Sequence, residues 1–207
     1  MNPPFIGIAG NIGVGKTTFT EIVAKRFDFD EIYESVIDNP YLEDFYNDME
    51  RWSFNLQVYF LYHRFSTIIK IPNTGNGVIQ DRTIYEDVEI FSQNLKDIGA
   101  FQDRDWNTYK ELFKNMTSFI RKPDLIIYLR ANTDTLITRI EKRNREYEKK
   151  ISAEYLLRLN LLYDRWIDSI NDIKVMEIDT VNFNIFKDKD RLNQIFNDIV
   201  KALGINE

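Results

Sequence analysis

The sequence predicts an α/β fold, a parallel sheet with helices on both of its faces. Three observations lead there. Short apolar runs of strand length alternate with longer segments whose apolar residues recur at helical spacing. The first run, Phe5–Ala9, passes through a glycine-rich turn directly into a helix on which Phe19, Ile22, Val23 and Phe27 share a face. No repeat, linker or low-complexity tract divides the 207 residues, so one domain, 1–207, is expected.

The glycine-rich turn carries the strongest signal. Gly10, Gly15, Lys16 and Thr17 meet the spacing G-x-x-x-x-G-K-[ST], and four of the eight glycines fall between Gly7 and Gly15. Glycine allows a strand to turn sharply into a helix while its backbone N–H groups point at an anion. The helix that follows adds its N-terminal partial charge. The expected ATP-binding stretch is therefore Gly10, Asn11, Ile12, Gly13, Val14, Gly15, Lys16, Thr17 and Thr18. Lys16 is expected to reach the β- and γ-phosphates, and the Thr17 hydroxyl to ligate Mg²⁺.

The remaining elements follow in order. Ile32–Glu34 is a short apolar segment ending on a carboxylate, and Asp38-Asn39-Pro40 breaks the chain. Tyr41–Met49 and Arg51–Lys70 read as helices. The second has an expected buried stripe of Phe54, Val58, Leu61, Phe65 and Ile68, with Gln57 and Arg64 on its flank. After a loop at Pro72–Gly77, the strand Val78–Gln80 delivers Asp81-Arg82 at its C-terminal end. Helices are expected at Tyr85–Lys96, Asp105–Ile120, Asp134–Lys142, Ser152–Ile170 and Lys187–Leu203, and strands at Asp124–Leu129 and Val175–Ile178. In parallel sheets ligands bind beyond the C-terminal strand ends. Glu34, Asp81 and Arg82 are thus expected to converge on the phosphate loop.

Composition excludes several classes. The net charge of −6 argues against a general nucleic-acid-binding surface. The absence of cysteine removes disulfides, thiol catalysis and cysteine-ligated zinc, and fits a reducing, cytoplasmic setting. His63 is the sole histidine, read as structural, so a multi-histidine metal site is not available. The opening MNPPFIGIAG has no basic region before its apolar run, so no secretory signal is expected there, and no apolar run reaches membrane-spanning length.

Asp81 reads as a carboxylate acting on Mg²⁺, directly or through water. The segment Arg139–Lys150 holds six basic and three acidic residues. It reads as a lid whose Arg139, Arg143 and Arg145 close over charge spread on the transferring phosphoryl group. The acceptor decides the reaction type. A sugar hydroxyl has a high pKa and benefits from a positioned base. Glu34 suits that role and would repel a phosphate acceptor. A nucleotide monophosphate kinase of the thymidylate-kinase kind, or a GTP-dependent switch, shares the loop. The first is disfavoured by Glu34, the second by the lack of an N-K-x-D stretch.

The chain resembles the deoxyribonucleoside kinases, and among them the bacterial deoxyadenosine/deoxyguanosine kinases, over nearly its whole length. The resemblance rests on GNIGVGKTT, on Glu34 in YESV, on RWSFNLQVYFLYHR and DRTIYEDVEIF, and on RIEKRNREYE followed by SAEYL. It implies a phosphate-loop kinase fold with a five-stranded parallel sheet, usually a homodimer. It implies that Glu34 is the general base for the 5′-hydroxyl, with Arg82 beside it and Asp81 near the metal. Tyr46 and Glu148 would bind the 3′-hydroxyl. Gln57, Arg64 and Asp87 would read the base edge between apolar walls from Trp52 and Phe91. Inhibition by the matching deoxynucleoside triphosphate is also implied. The chain departs in having Glu34-Ser35 for Glu-Pro and Asp81-Arg82-Thr83 for Glu-Arg-Ser.

Base chemistry ranks the substrates. Gln57 offers one donor and one acceptor side by side, matching the amino group and ring nitrogen of adenine. Cytosine presents a similar edge, and thymine lacks the amino donor. Asp87, held ionised by Arg64, accepts from an amino group. Guanine would set its O6 against Asp87, but the resemblance implies purines, so deoxyadenosine is expected first, deoxyguanosine or deoxycytidine next, and thymidine far behind.

Overall fold

The computed structural model describes residues 3–33, 39–71, 75–145, 148 and 150–205. Glu34, Asp38 and Pro72 lie outside them. Among the described residues, five strands form one parallel sheet in the order β2-β3-β1-β4-β5. The strands are β1 (Phe5–Gly10), β2 (Asp30–Ile32), β3 (Val78–Asp81), β4 (Leu125–Arg130) and β5 (Lys174–Asp179). Strand β1 lies at the centre and all six of its residues are buried. Ile8 pairs with Asp81 on one side and with Ile127 on the other. From β1 the chain first builds towards β2 and then crosses back to β4, so a crevice opens above the C-terminal end of β1.

Helices α1 (Lys16–Phe27), α7 (Thr133–Arg143) and α9 (Lys189–Leu203) cover one face. Phe19, Val23, Leu136, Ile140 and Phe196 pack there on Ile6, Ile8 and Ile127. The alternate residues Ala9, Ile126 and Tyr128 point the other way, against Leu159 and Tyr163 of α8 (Ala153–Ser169). Phe5 packs with Leu56 and Leu61 of α3 (Met49–Ile68) and with Tyr109 of α6 (Asp103–Thr117). Period-two alternation along two central strands thus feeds separate cores. Each fully buried large aliphatic side chain contributes about 1.5–3 kcal/mol.

Two helices differ from the sequence expectation. Helix α3, preceded by the short α2 (Leu42–Asn47), buries Ser53, Leu56, Gln57, Leu61, Arg64 and Ile68. Phe54, Val58 and Phe65 are only partly buried. The predicted stripe was therefore rotated, with Gln57 and Arg64 on the buried face rather than its flank. Polar and apolar residues are spread almost evenly around α3, so periodicity had little contrast to read. The helix expected at Tyr85–Lys96 divides into α4 (Ile84–Glu86), a π-helical turn at Asp87–Ser92, and α5 (Gln93–Asp97). A π turn inserts one residue into the hydrogen-bond ladder and re-aims the side chains around it. Here those side chains include Asp87, Phe91 and Ser92.

Candidate active site

A cavity of about 660 Å³ sits above the C-terminal ends of β1 and β3. At one end lies the loop between β1 and α1. Gly10 turns with φ of 147°, and a Cβ there would lie 2.6 Å from the Leu129 carbonyl oxygen. Gly15 caps α1 with φ of 104° and brings no side-chain acceptor to the first turn. The first N–H groups of the helix are left for an anion, and no acidic residue opposes one there. The Lys16 ammonium donates to the carbonyls of Gly10 at 2.8 Å and Asn11 at 3.1 Å. Asn11 faces away from the cavity. Its amide donates to Leu156 O and Asn160 Oδ1 of α8 at 2.9 and 2.7 Å, and its Oδ1 accepts from Ile12 N.

The Thr17 hydroxyl donates to Asp81 Oδ2 at 2.6 Å. The other oxygen, Asp81 Oδ1, is buried without a hydrogen-bond partner. A buried carboxylate oxygen left unpaired is costly, and one beside a phosphate loop fits a hard divalent cation. The Thr17 hydroxyl and the Asp81 carboxylate are hard oxygen donors that would suit Mg²⁺. No cluster of three or more acidic or histidine ligands stands among the described residues.

Arg82 adopts φ of 71°. Its Nη1 donates to the Tyr163 hydroxyl at 2.9 Å, and its guanidinium lies 4.4 Å from the Phe91 ring centroid. Glu86 is fully buried, and its Oε2 accepts from Thr83 N at 2.6 Å in a capping box. The sequence reading passed over Glu86, although Thr83-x-x-Glu86 is a capping signature. It also passed over Tyr163, which no local pattern marks.

At the other end, Arg64 and Asp87 form a bidentate pair, Nε to Oδ2 at 2.7 Å and Nη2 to Oδ1 at 3.0 Å. Arg64 does not line the cavity; it backs Asp87, which does. Its Nη1 also donates to the Arg82 carbonyl at 3.0 Å, linking the two ends. Ser92 donates to Gln57 Oε1 at 3.1 Å. Gln57, Tyr46, Phe91 and Glu148 line the cavity, together with Phe45, Leu56 and Phe60, which the sequence reading left out. Trp52 does not: its ring packs 5.9 Å from Tyr41 beneath the Arg51 guanidinium. The apolar wall comes from Leu56 and Phe60 one and two turns further on.

The expected lid also divides. Arg139 belongs to α7, and its guanidinium is fixed, donating to Val14 O at 2.9 Å and Thr180 O at 2.6 Å. Burial lowers its pKa. It braces the loop rather than closing over it. Arg143 ends the helix and forms a bidentate pair with Glu148 at 3.0 and 2.6 Å; Arg145 lies 3.6 Å from the same carboxylate. Glu34 lies outside the described residues. A second cleft, about 220 Å³, lies across Gly15 and Thr18 between Arg139 and Phe183, Ile185 and Phe186.

A family model for deoxynucleoside kinases matches residues 6–203. A deoxyadenosine/deoxycytidine kinase of Bacillus subtilis (strain 168) is 39% identical over 98% of this chain and 94% of its own length. A deoxyadenosine kinase of Dictyostelium discoideum is 40% identical over 92% of this chain and 76% of its own. A deoxyguanosine kinase of the same Bacillus strain is 38% identical, covering 82% of this chain and 81% of its own. A solved structure of deoxyadenosine kinase from M. mycoides, with dCMP and dCDP bound, superposes with a TM-score of 0.84 at 31% identity, over 95% of this chain and 99% of that one. Sequence and fold agree from the phosphate loop to the last helix: the chain belongs to the deoxynucleoside kinase family and is a kinase of that class.

Proposed function

We propose that the enzyme transfers the γ-phosphate of ATP to the 5′-hydroxyl of a deoxyribonucleoside, with deoxyadenosine preferred, giving dAMP and ADP. The observation that carries this is one cavity with a phosphate loop at one end and, at the other, Gln57 beside the Arg64–Asp87 pair. Asp87, oriented by its two bonds from Arg64, presents its carboxylate to the cavity, where it suits the N6 amino group of adenine. Gln57, seated by Ser92, offers its amide to the amino group and ring nitrogen. Guanine O6 would face the Asp87 carboxylate, whereas cytosine repeats the adenine edge. Relatives named for deoxyadenosine, deoxycytidine and deoxyguanosine agree with a purine-capable pocket in which close substrates compete.

In the transfer, the 5′-oxygen attacks the γ-phosphorus, its proton passes to Glu34, and the bond from the γ-phosphorus to the β-bridging oxygen breaks to release ADP. Lys16 and the loop N–H groups hold the β- and γ-phosphates. Arg82 faces the transferring group, and Arg143 and Arg145 supply further charge once a phosphate competes with Glu148 for them. Mg²⁺, held by Thr17 and Asp81, would neutralise phosphate charge. Tyr46 and Glu148 hold the 3′-hydroxyl. The second cleft suits the base of the donor, beside Arg139 and Phe186.

The same reading extends to assembly and control. Tyr62 and Leu112, exposed on the neighbouring helices α3 and α6, together with Phe119 just past α6, support a homodimer. The deoxynucleoside triphosphate of the preferred substrate would span base pocket and loop, and so inhibit against both substrates; the M. mycoides kinase has been solved with dATP bound. A reducing, cytoplasmic location fits the cysteine-free sequence.

The test is a panel of deoxyadenosine, deoxyguanosine, deoxycytidine, thymidine, adenosine and dAMP with ATP and Mg²⁺, read as kcat/KM. Deoxyadenosine is expected to lead. Thymidine or dAMP in front would overturn the assignment.

A further inference from the structure

Glu86 presents a problem that the transfer chemistry leaves open. It is fully buried, and a buried carboxylate must be satisfied by donors. The capping box occupies only Oε2, which takes Thr83 N at 2.6 Å and Thr83 Oγ1 at 3.1 Å. Oε1 points the other way. It accepts from the Tyr163 hydroxyl at 2.7 Å and from Gly10 N at 3.3 Å, and lies 3.5 Å from Arg82 Nη1. A helix cap alone would need neither the burial nor the second set of contacts.

Arg82 is what these contacts surround. Its left-handed backbone is strained for a residue with a Cβ, and such strain persists only where neighbours over-determine it. Arg82 N donates to Ile8 O at 3.0 Å, and Thr83, the next residue, is the cap tied to Glu86. At the side-chain end Nη1 donates to Tyr163. The single tyrosine proton has two acceptors in reach, Glu86 Oε1 and the Gly10 carbonyl at 2.8 Å. Burial raises the Tyr163 pKa, so it stays a neutral hydroxyl that can accept from Arg82 and donate onward.

We propose that Glu86 and Tyr163 are positioning residues for phosphoryl transfer: they hold Arg82 at both ends, its backbone through the Thr83 cap and its guanidinium through the tyrosine hydroxyl, and tie it to the first residue of the phosphate loop. The distance between Arg82 and the phosphates is then set by one carboxylate and one hydroxyl, neither of which touches substrate. This rests on the role given to Arg82 above.

The experiment uses the full chain with the leading deoxynucleoside of the panel, ATP and Mg²⁺. Tyr163→Phe keeps the ring stacked on Tyr128, whose centroid lies 5.6 Å away, and removes only the hydroxyl. We expect kcat to fall about tenfold or more, the scale of a misplaced catalytic group, with both KM values within about threefold. Glu86→Gln should behave alike. In an Arg82→Lys background the Tyr163→Phe change should cost less than about twofold, because residues acting through one another are not additive. A kcat for Tyr163→Phe within twofold of wild type, whatever its thermal midpoint, overturns the proposal. So does a cost that multiplies fully with that of Arg82→Lys. If Glu86→Gln fails to fold, the tyrosine variant decides alone. Near-wild-type activity in Arg82→Lys would instead remove the role of Arg82, and this proposal with it; an inactive Arg82→Lys beside a fully active Tyr163→Phe removes the proposal alone.

Discussion

The two ends of the cavity are built on different principles. The phosphate end is one continuous stretch, Gly10–Thr18, and its chemistry is mostly backbone: glycines that turn, N–H groups that point inward, and one lysine. The base end is assembled from side chains on α3 and on the π-helical turn, with Arg64 and Asp87 twenty-three positions apart. On the proposed reading the first would recognise any polyphosphate and the second would separate one base from another. Generic recognition can come from backbone, which every residue carries; discrimination needs side chains, and side chains must be brought together by packing. The bond from Arg64 to the Arg82 carbonyl joins the two regimes.

Substitutions should therefore divide into those that change the rate for every nucleoside and those that change the ranking. Lys16→Ala should have the largest effect, a loss of turnover on the order of 10³-fold or more, because charge building on the β- and γ-oxygens loses its fixed counter-ion. The ranking of nucleosides should survive in whatever activity remains. Circular dichroism should show a folded protein. Glu34→Gln should follow, with kcat down about 10²-fold or more, the usual scale for a general base. ATP binding by titration calorimetry should be unchanged, and near-wild-type turnover would end that assignment.

Asp87→Ala tests the other end. It takes the carboxylate away from the buried Arg64 guanidinium, which costs about 3–5 kcal/mol of stability, a large part of the total for a domain. It should also reorder the panel, with deoxyadenosine losing its lead. An unchanged ranking in a folded variant would mean that the base does not meet Asp87. Ser92→Ala should have the smallest effect. It removes one neutral hydrogen bond to Gln57, worth about 1 kcal/mol, or about fivefold in kcat/KM for deoxyadenosine. An equal loss for every nucleoside would point to packing instead of base reading.

The legibility of the site follows the same divide. The loop, the order of strands and helices, and Asp81-Arg82 at a strand end could be read because local spacing determines them. The Asp81–Thr17 contact follows from strand β3 lying next to β1. The buried face of α3 could not be read correctly, since polar and apolar residues spread evenly around a helix give periodicity no contrast. Trp52 was placed in the cavity wall by resemblance, yet its ring turns to Tyr41 and Arg51, a choice that neighbouring packing makes. Arg139 was grouped with the mobile arginines by its place in a basic run. The helix expected at Asp134–Lys142 already held Arg139; what the run does not show is that the Thr180 carbonyl, just past β5, takes its guanidinium.

By itself the sequence determined what local chemistry and short-range periodicity control: an α/β chain, a phosphate loop, an acidic-arginine pair beside it, and a chain without cysteine. The tertiary structure decided what depends on residues far apart in the chain. The π turn sets where Asp87 and Phe91 point. Glu86 and Tyr163, seventy-seven positions apart, meet at 2.7 Å only because α8 packs against the π-helical turn that follows Glu86. A buried polar group is stable only with its partner, and that partner belongs to the fold rather than to the neighbouring sequence.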